Sequence, residues 1–170
     1  AVAAAGFDWD METAQGTVSE LSETAEFLTT VTNTGDGNDT FTVTMASYMT
    51  PPWFSQLCAN GQCYAPFVTE VDISMRAGEG KPLDIHITPL DFAGEGWCEI
   101  TVASNTNPLV NETRVFKVIT PGLDALIVDN DGGAGYETYY QAALDAAGQT
   151  YGTWDRQQLG KPAQDDLEAF

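Results

Sequence analysis

Positive charge is what this sequence has least of. Six Lys and Arg stand against 25 Asp and Glu, for a formal net charge of −19 at neutral pH. Such a field repels phosphate backbones and anionic headgroups, which argues against nucleic acid and membrane surfaces as partners. It favours solubility, bound cations and basic partners. Long apolar runs are missing too: no stretch approaches the roughly 18–20 residues of a membrane-spanning helix, so no membrane insertion is expected. Histidine occurs once, at His86. A serine triad would have to use it, yet His86 falls between Ile85 and Ile87 on the polar side of a strand pattern, with no serine elbow nearby. The start, Ala1 to Gly6, lacks a basic flank and is too short for a signal peptide, so an exported chain is expected to have shed its signal already.

Cysteine is sparse, at Cys58, Cys63 and Cys98. The first two bracket Ala-Asn-Gly-Gln, in which Asn60-Gly61 is a strong turn signal, so a local disulfide is geometrically feasible. Closing so short a loop stabilises by roughly 2 kcal/mol in the chain-entropy treatment. A Cys58–Cys63 bond implies an oxidising compartment, hence a secreted, extracellular or cell-surface protein. Two thiols are too few for a metal site, and nothing in the sequence brings His86 to them. Cys98 alternates with Ile100 and Val102 and reads as a buried small hydrophobe. A rival pairing of Cys98 with one loop cysteine stays open.

What is present is apolar patterning. With 43% apolar and 11% aromatic residues, the 170-residue chain can bury a real core. From Glu23 to about Thr120 the dominant period is two, the mark of half-buried strands. Phe27, Thr29 and Val31 alternate, then Phe41, Val43 and Met45, then Val71, Ile73 and Met75. Leu83, Ile85 and Ile87 follow, then Cys98, Ile100 and Val102. Val115 to Ile119 reads as a closing strand and Phe7 to Met11 as an opening one. Turn clusters separate these runs at intervals that suit a mainly β chain built as an antiparallel sandwich. Trp53, Phe54 and Trp97 are core or rim candidates by size; a sugar-binding face would instead show them as a platform on one sheet.

At Pro121-Gly122 the pattern changes. Leu123 to Val128 is apolar apart from Asp124 and reads as a strand buried on both faces. A glycine-rich loop, Asp129 to Gly135, leads into Tyr136–Ala147, where Tyr136, Tyr139, Tyr140, Ala143, Leu144 and Ala147 share a helical face. Gly148 supplies the stop. Thr150 to Trp154 resembles a second strand, and Asp165-Asp166-Leu167 opens another helix. Residues 1–120 thus form a sandwich domain and 121–170 a β-α-β-α segment too small to enclose a doubly wound sheet, which reads as part of something longer.

Two resemblances follow from these residues. The run Val31 to Val43, with its turn Gly35-Asp36-Gly37-Asn38-Asp39, resembles the strand-turn-strand of immunoglobulin-like modules in large exported bacterial and archaeal proteins. Trp53-Phe54, Cys58, Cys63-Tyr64, Gly78 and Pro82-Leu83 fit the same pattern, over roughly residues 7–120. Leu126 to Gly133, Tyr136 to Tyr140, Ala143-Leu144, Tyr151 and Trp154-Asp155 are similar to the opening of flavodoxin-like, amidotransferase-like domains that follow such sandwiches. Those domains commonly lack the amidotransferase nucleophile, so the resemblance implies architecture and export and no activity.

Oxygen-rich loops supply the candidate sites. Asp129, Asp131 and Glu137 around the glycine-rich loop invite calcium, whose ligands are hard oxygens, although the spacing is not that of an EF-hand. The same acids can instead cap the following helix and complement its dipole. Asp36, Asn38 and Asp39 form a second such loop, with Asp36 and Asp39 as its candidate ligands, which a hairpin turn also explains. The glycine loop lacks the Lys-Ser/Thr ending of a phosphate loop. Asn38-Asp39-Thr40 and Asn111-Glu112-Thr113 are glycosylation sequons. No catalytic residue and no cofactor beyond that calcium is assigned. The expected role is a non-catalytic extracellular structural or interaction module of a cell-surface or filament-forming protein, with other protein domains or identical subunits as partners. Strand addition by the small-residue N-terminus is one route. The rivals are an accessory region of a secreted hydrolase and a carbohydrate-binding module.

Overall fold

The computed structural model describes residues 4–170. Its elements, in chain order, are β1 (Phe7–Met11), β2 (Gly16–Val18), β3 (Ala25–Phe27), β4 (Thr29–Asn33), β5 (Asp39–Met49), β6 (Phe54–Ala59), β7 (Gln62–Cys63), β8 (Glu70–Met75), β9 (Gly80–Thr88), β10 (Glu95–Ser104), β11 (Asn111–Ile119), β12 (Ala125–Asp129), α1 (Glu137–Ala147), β13 (Tyr151–Asp155), α2 (Arg156–Leu159) and α3 (Gln164–Glu168). The chain is mainly β: an immunoglobulin-like antiparallel sandwich followed by a small α/β segment. One sheet runs β1-β4-β9-β6-β7, with β3 also on β9; the other runs β2-β11-β10-β5-β8.

Alternation decides which face each strand buries. In β9, Leu83, Ile85 and Ile87 are fully buried while Asp84 and His86 point outward, half-buried. Phe41 and Val43 on β5 and Ile100 and Val102 on β10 close the core from the other sheet. Removing such a side chain costs about 2–5 kcal/mol, so each face's register is strongly fixed. Trp9, Phe27 and Phe116 form an aromatic cluster at its centre. Trp53 also belongs to the core, and its indole N–H donates to the Phe92 carbonyl at 3.0 Å.

The apolar run around Phe27 divides into β3 and β4, which pair successively with β9. Leu28 marks the break, its N–H bonded to Thr13 Oγ1. Buried Asn33 then ties the sheets together, donating to the carbonyls of Gly37 and Met75 while accepting from Gly35 N–H. Ala4 and Gly6 carbonyls accept from Asp36 and Thr34 N–H, so this part of the small-residue N-terminus pairs with the chain's own turn. Ala1 to Ala3, the rest of the suggested donor strand, lie outside the described residues.

The α/β segment is seated on the sandwich. Strands β12 and β13 pair in parallel, from Ala125↔Tyr151 to Asp129↔Asp155. Trp154 is 1% exposed and packs with Ile119 and Leu159 against the outer face of β11. Its indole N–H donates to the Gly160 carbonyl. Val18 N–H donates to Asp166 at 2.9 Å, and Thr153 N–H donates to Glu95 at 2.8 Å. The docking is one-sided, for α1 buries no residue at all. Among the described residues no helix is long and apolar enough to cross a membrane.

Candidate functional site

Three places gather chemically useful side chains. The first is the outer face of β6, β7 and β9. The turn at Asn60-Gly61, with both residues at positive φ, folds β7 back on β6 so that Cys58 faces Cys63, and the two are joined as a disulfide. On its other side β6 pairs with β9, setting Cys58 opposite Asp84 and Gln56 opposite His86. His86 Nδ1 consequently lies 3.9 Å from Cys63 Sγ. The structure thus brings the only histidine to the cysteines, a meeting that no spacing in the chain announces. Glu26 sits opposite His86 on β3, and the cluster borders an open hollow of about 350 Å³. Burial pushes the Asp84 carboxyl above its ordinary value against the opposing hydrogen bond from Thr29 N–H. Cys98 is a free, fully buried thiol whose pKa burial raises, with the Ser55 and Ser47 hydroxyls opposing.

The second is the loop at the carboxyl ends of the parallel strands, where Asp129, Asp131 and Glu137 each bring an oxygen within 4.8 Å of the others. Asp131 organises this loop. Its Oδ1 accepts from Gly133 and Ala134 N–H, both at 2.8 Å, and its Oδ2 accepts from Tyr136 N–H at 2.6 Å. Those bonds, that from Tyr136 foremost, hold its carboxyl below the ordinary range. Gly132, Gly133 and Gly135 all adopt positive φ, which lets the backbone curl around one carboxylate. Asp129 accepts from Asp131 N–H, and Glu137 Oε2 is buried with no hydrogen-bond donor.

The other oxygen-rich loop is arranged differently. Asp39 accepts from the Ser104 hydroxyl at 2.6 Å, the Thr106 hydroxyl at 2.8 Å and two N–H groups, so its carboxylate pins the Ser104–Asn107 turn. Burial pushes its pKa up, but those bonds outweigh it and the net shift is downward. Asp36 sits across the turn near Ala4 N–H. Asp36 and Asp39 are not brought together with a third acidic ligand among the described residues.

The third place is aromatic. Tyr48 and Trp97 stack with ring centroids 5.1 Å apart, and Lys117 Nζ lies 5.2 Å from the Trp97 centroid. These are register neighbours along β5, β10 and β11, so Trp97 stands between Tyr48 and Lys117 on the outer face of that sheet. Lys117 also pairs with Glu95 at 2.9 Å, which links this row to the docked β13.

The chain matches no protein-family model and no curated protein. Among solved structures it is similar to the N-terminal domain of PorA, at 18% identity over 61% of this chain and 84% of that one, TM-score 0.44. It is similar to the secreted serine protease VesC from Vibrio cholerae, at 8% identity over 69% of this chain and 24% of the protease, TM-score 0.45. A CARDB domain from Pyrococcus furiosus, solved in complex with di-metal ions, aligns at 18% identity over 70% of this chain and 89% of the domain, TM-score 0.39.

Proposed function

We propose that the chain is a non-catalytic extracellular module that works by binding another protein, and that its binding face is formed by β12 and α1. One observation carries the reading: α1 has an apolar stripe, yet no residue of the helix is buried and its tyrosines stand in solvent. Tyr136, Tyr139 and Tyr140 are 60%, 74% and 66% exposed, and Val128 beside them is 39% exposed. Parallel strands are ordinarily covered on both faces, and aromatic residues are the ones enriched in protein interfaces. Asp129, Asp131 and Glu137 rim this patch, which suits a partner with basic residues around an apolar centre. The Cys58–Cys63 bond supports an oxidising, extracellular setting. The reading is tested on cells that make the protein, by adding back labelled full chain. The Tyr139→Asp, Tyr140→Asp double variant should lose binding at least about tenfold, a 1.4 kcal/mol effect, with its thermal midpoint little changed. Undiminished binding would remove this face from the account.

The acidic loop carries a second reading, favoured by the buried, donorless Glu137 Oε2 beside two other carboxylates. An oxygen so placed is relieved by a shared cation, and an all-oxygen set suits calcium. In this reading Asp129 and Glu137 are ligands, and Asp131, committed to three backbone N–H groups, chiefly shapes the loop.

A further inference from the structure

We infer that Cys58, Cys63 and His86 form a redox-gated site for a soft or borderline metal ion of the zinc class: closed while the disulfide stands and opened when a dithiol reduces it. The observation behind this is the juxtaposition on the outer face of β6, β7 and β9. The ligand atoms of the three side chains lie within 4.8 Å of one another. In a tetrahedral zinc site a thiolate sulfur and an imidazole nitrogen sit about 3.5 Å apart, from bonds of about 2.3 and 2.0 Å. The Cys63 Sγ–His86 Nδ1 separation of 3.9 Å is already close to that.

The scaffold holds the ligands in place independently of the bond between the sulfurs. His86 sits on the central strand β9, flanked by Gln56 on β6 and Glu26 on β3. Cys58 is a buried residue of β6, backed by Leu57 and Ala59 in the core. Cys63 is exposed, so its side chain is free to turn. Four residues separate the cysteines, within the spacing of cysteine pairs that share a zinc ion. Glu26, opposite His86 and bordering the same hollow, or water, takes the fourth position.

The chemistry balances in two steps. A dithiol gives two electrons and two protons to the disulfide, becoming a cyclic disulfide and leaving two protein thiols. The metal ion then displaces both thiol protons and accepts the lone pair of neutral His86, releasing two protons to solvent. Cys98, fully buried, takes no part.

The test uses cobalt(II), whose spectrum reports thiolate ligation, on the full chain. The chain is reduced with a dithiol, freed of it by gel filtration without oxygen, and checked for an unchanged far-ultraviolet circular dichroism spectrum. The reduced chain should develop thiolate-to-cobalt charge-transfer and tetrahedral ligand-field bands that saturate at one ion per chain and vanish on adding zinc. The oxidised chain should show neither, which separates the site from weak binding by surface carboxylates. His86→Gln should weaken cobalt binding by about tenfold or more, since even outer-shell changes cost that much. Cys63→Ser should abolish the charge-transfer band and Cys98→Ala should leave it intact. Absence of the band from the reduced chain, an equal band in the oxidised chain, loss of the fold on reduction, or full affinity in His86→Gln would each overturn the proposal.

Discussion

Gly16 lies directly beneath the indole of Trp154: a Cβ at position 16 would come within 2.8 Å of Cη2. The indole cannot yield easily, because it is 1% exposed and its N–H is bonded to the Gly160 carbonyl. Gly16→Val should therefore weaken the docking of the α/β segment by about 1–3 kcal/mol, the usual cost of overpacking. Trp154 fluorescence should shift to the red and residues after Pro121 should become protease-sensitive, while the sandwich keeps its own unfolding transition. An unchanged tail would show that Trp154 does not hold it.

Cys98 should be the only thiol that titrates, and only after unfolding. Burial raises its pKa and shields it, whereas Cys58 and Cys63 are bonded to each other. A disulfide reagent should modify no cysteine in the native chain and one per chain in denaturant. Non-reducing peptide maps should show the Cys58–Cys63 linkage. A peptide linking Cys98 to either loop cysteine would contradict both the pairing and the position of β6.

Stability should fall in acid for identifiable reasons. Asp39, Asp124 and Asp131 have folded-state pKa values below their ordinary 3.8. Their contribution is complete above about 4 and is lost as pH falls through the lower folded values. Asp84 acts oppositely: its pKa is raised, so its contribution is present at low pH and lost as pH rises through the raised value. Between neutral pH and about 5, partial protonation also relieves self-repulsion. The thermal midpoint should thus be flat or slightly rising from pH 7 to about 5 and fall steeply below about 4. A midpoint still rising below pH 4 would contradict the hydrogen-bonded roles given to these carboxylates.

Calcium should stabilise the chain beyond what ionic strength explains. A site that exists only in the folded state raises the thermal midpoint by mass action, whereas screening acts alike for any salt. At matched ionic strength, millimolar calcium chloride should exceed sodium chloride, and Glu137→Gln should remove the excess. Equal shifts would leave the acidic loop a structural cap.

Much of the sandwich was legible because alternation is local. Leu83-Ile85-Ile87 and Cys98-Ile100-Val102 declare a buried face whichever strands lie beside them. Short elements were not legible: three residues of β2 and four of α2 are too few to show a period, and β2 is defined by its parallel pairing with distant β11. The hairpin of β6 and β7 announced itself only through Asn60-Gly61. The meeting of His86 with Cys63 depends on which strands are neighbours, information that period two does not contain. Likewise helical spacing places Tyr136, Tyr139 and Tyr140 on one face, and only the structure shows that the chain's own sandwich does not cover it.

The most direct test of the central claim, that β12 and α1 form a protein-binding face, is site-specific photocrosslinking on intact cells. A photoreactive phenylalanine analogue replaces Tyr139 in one full-length protein and Tyr48, exposed on the outer face of β5, in another. The account predicts one discrete adduct from position 139, its partner peptide carrying basic residues around an apolar centre, and none from position 48. Adducts at 48 alone, or the same scattered products from both positions, would contradict it.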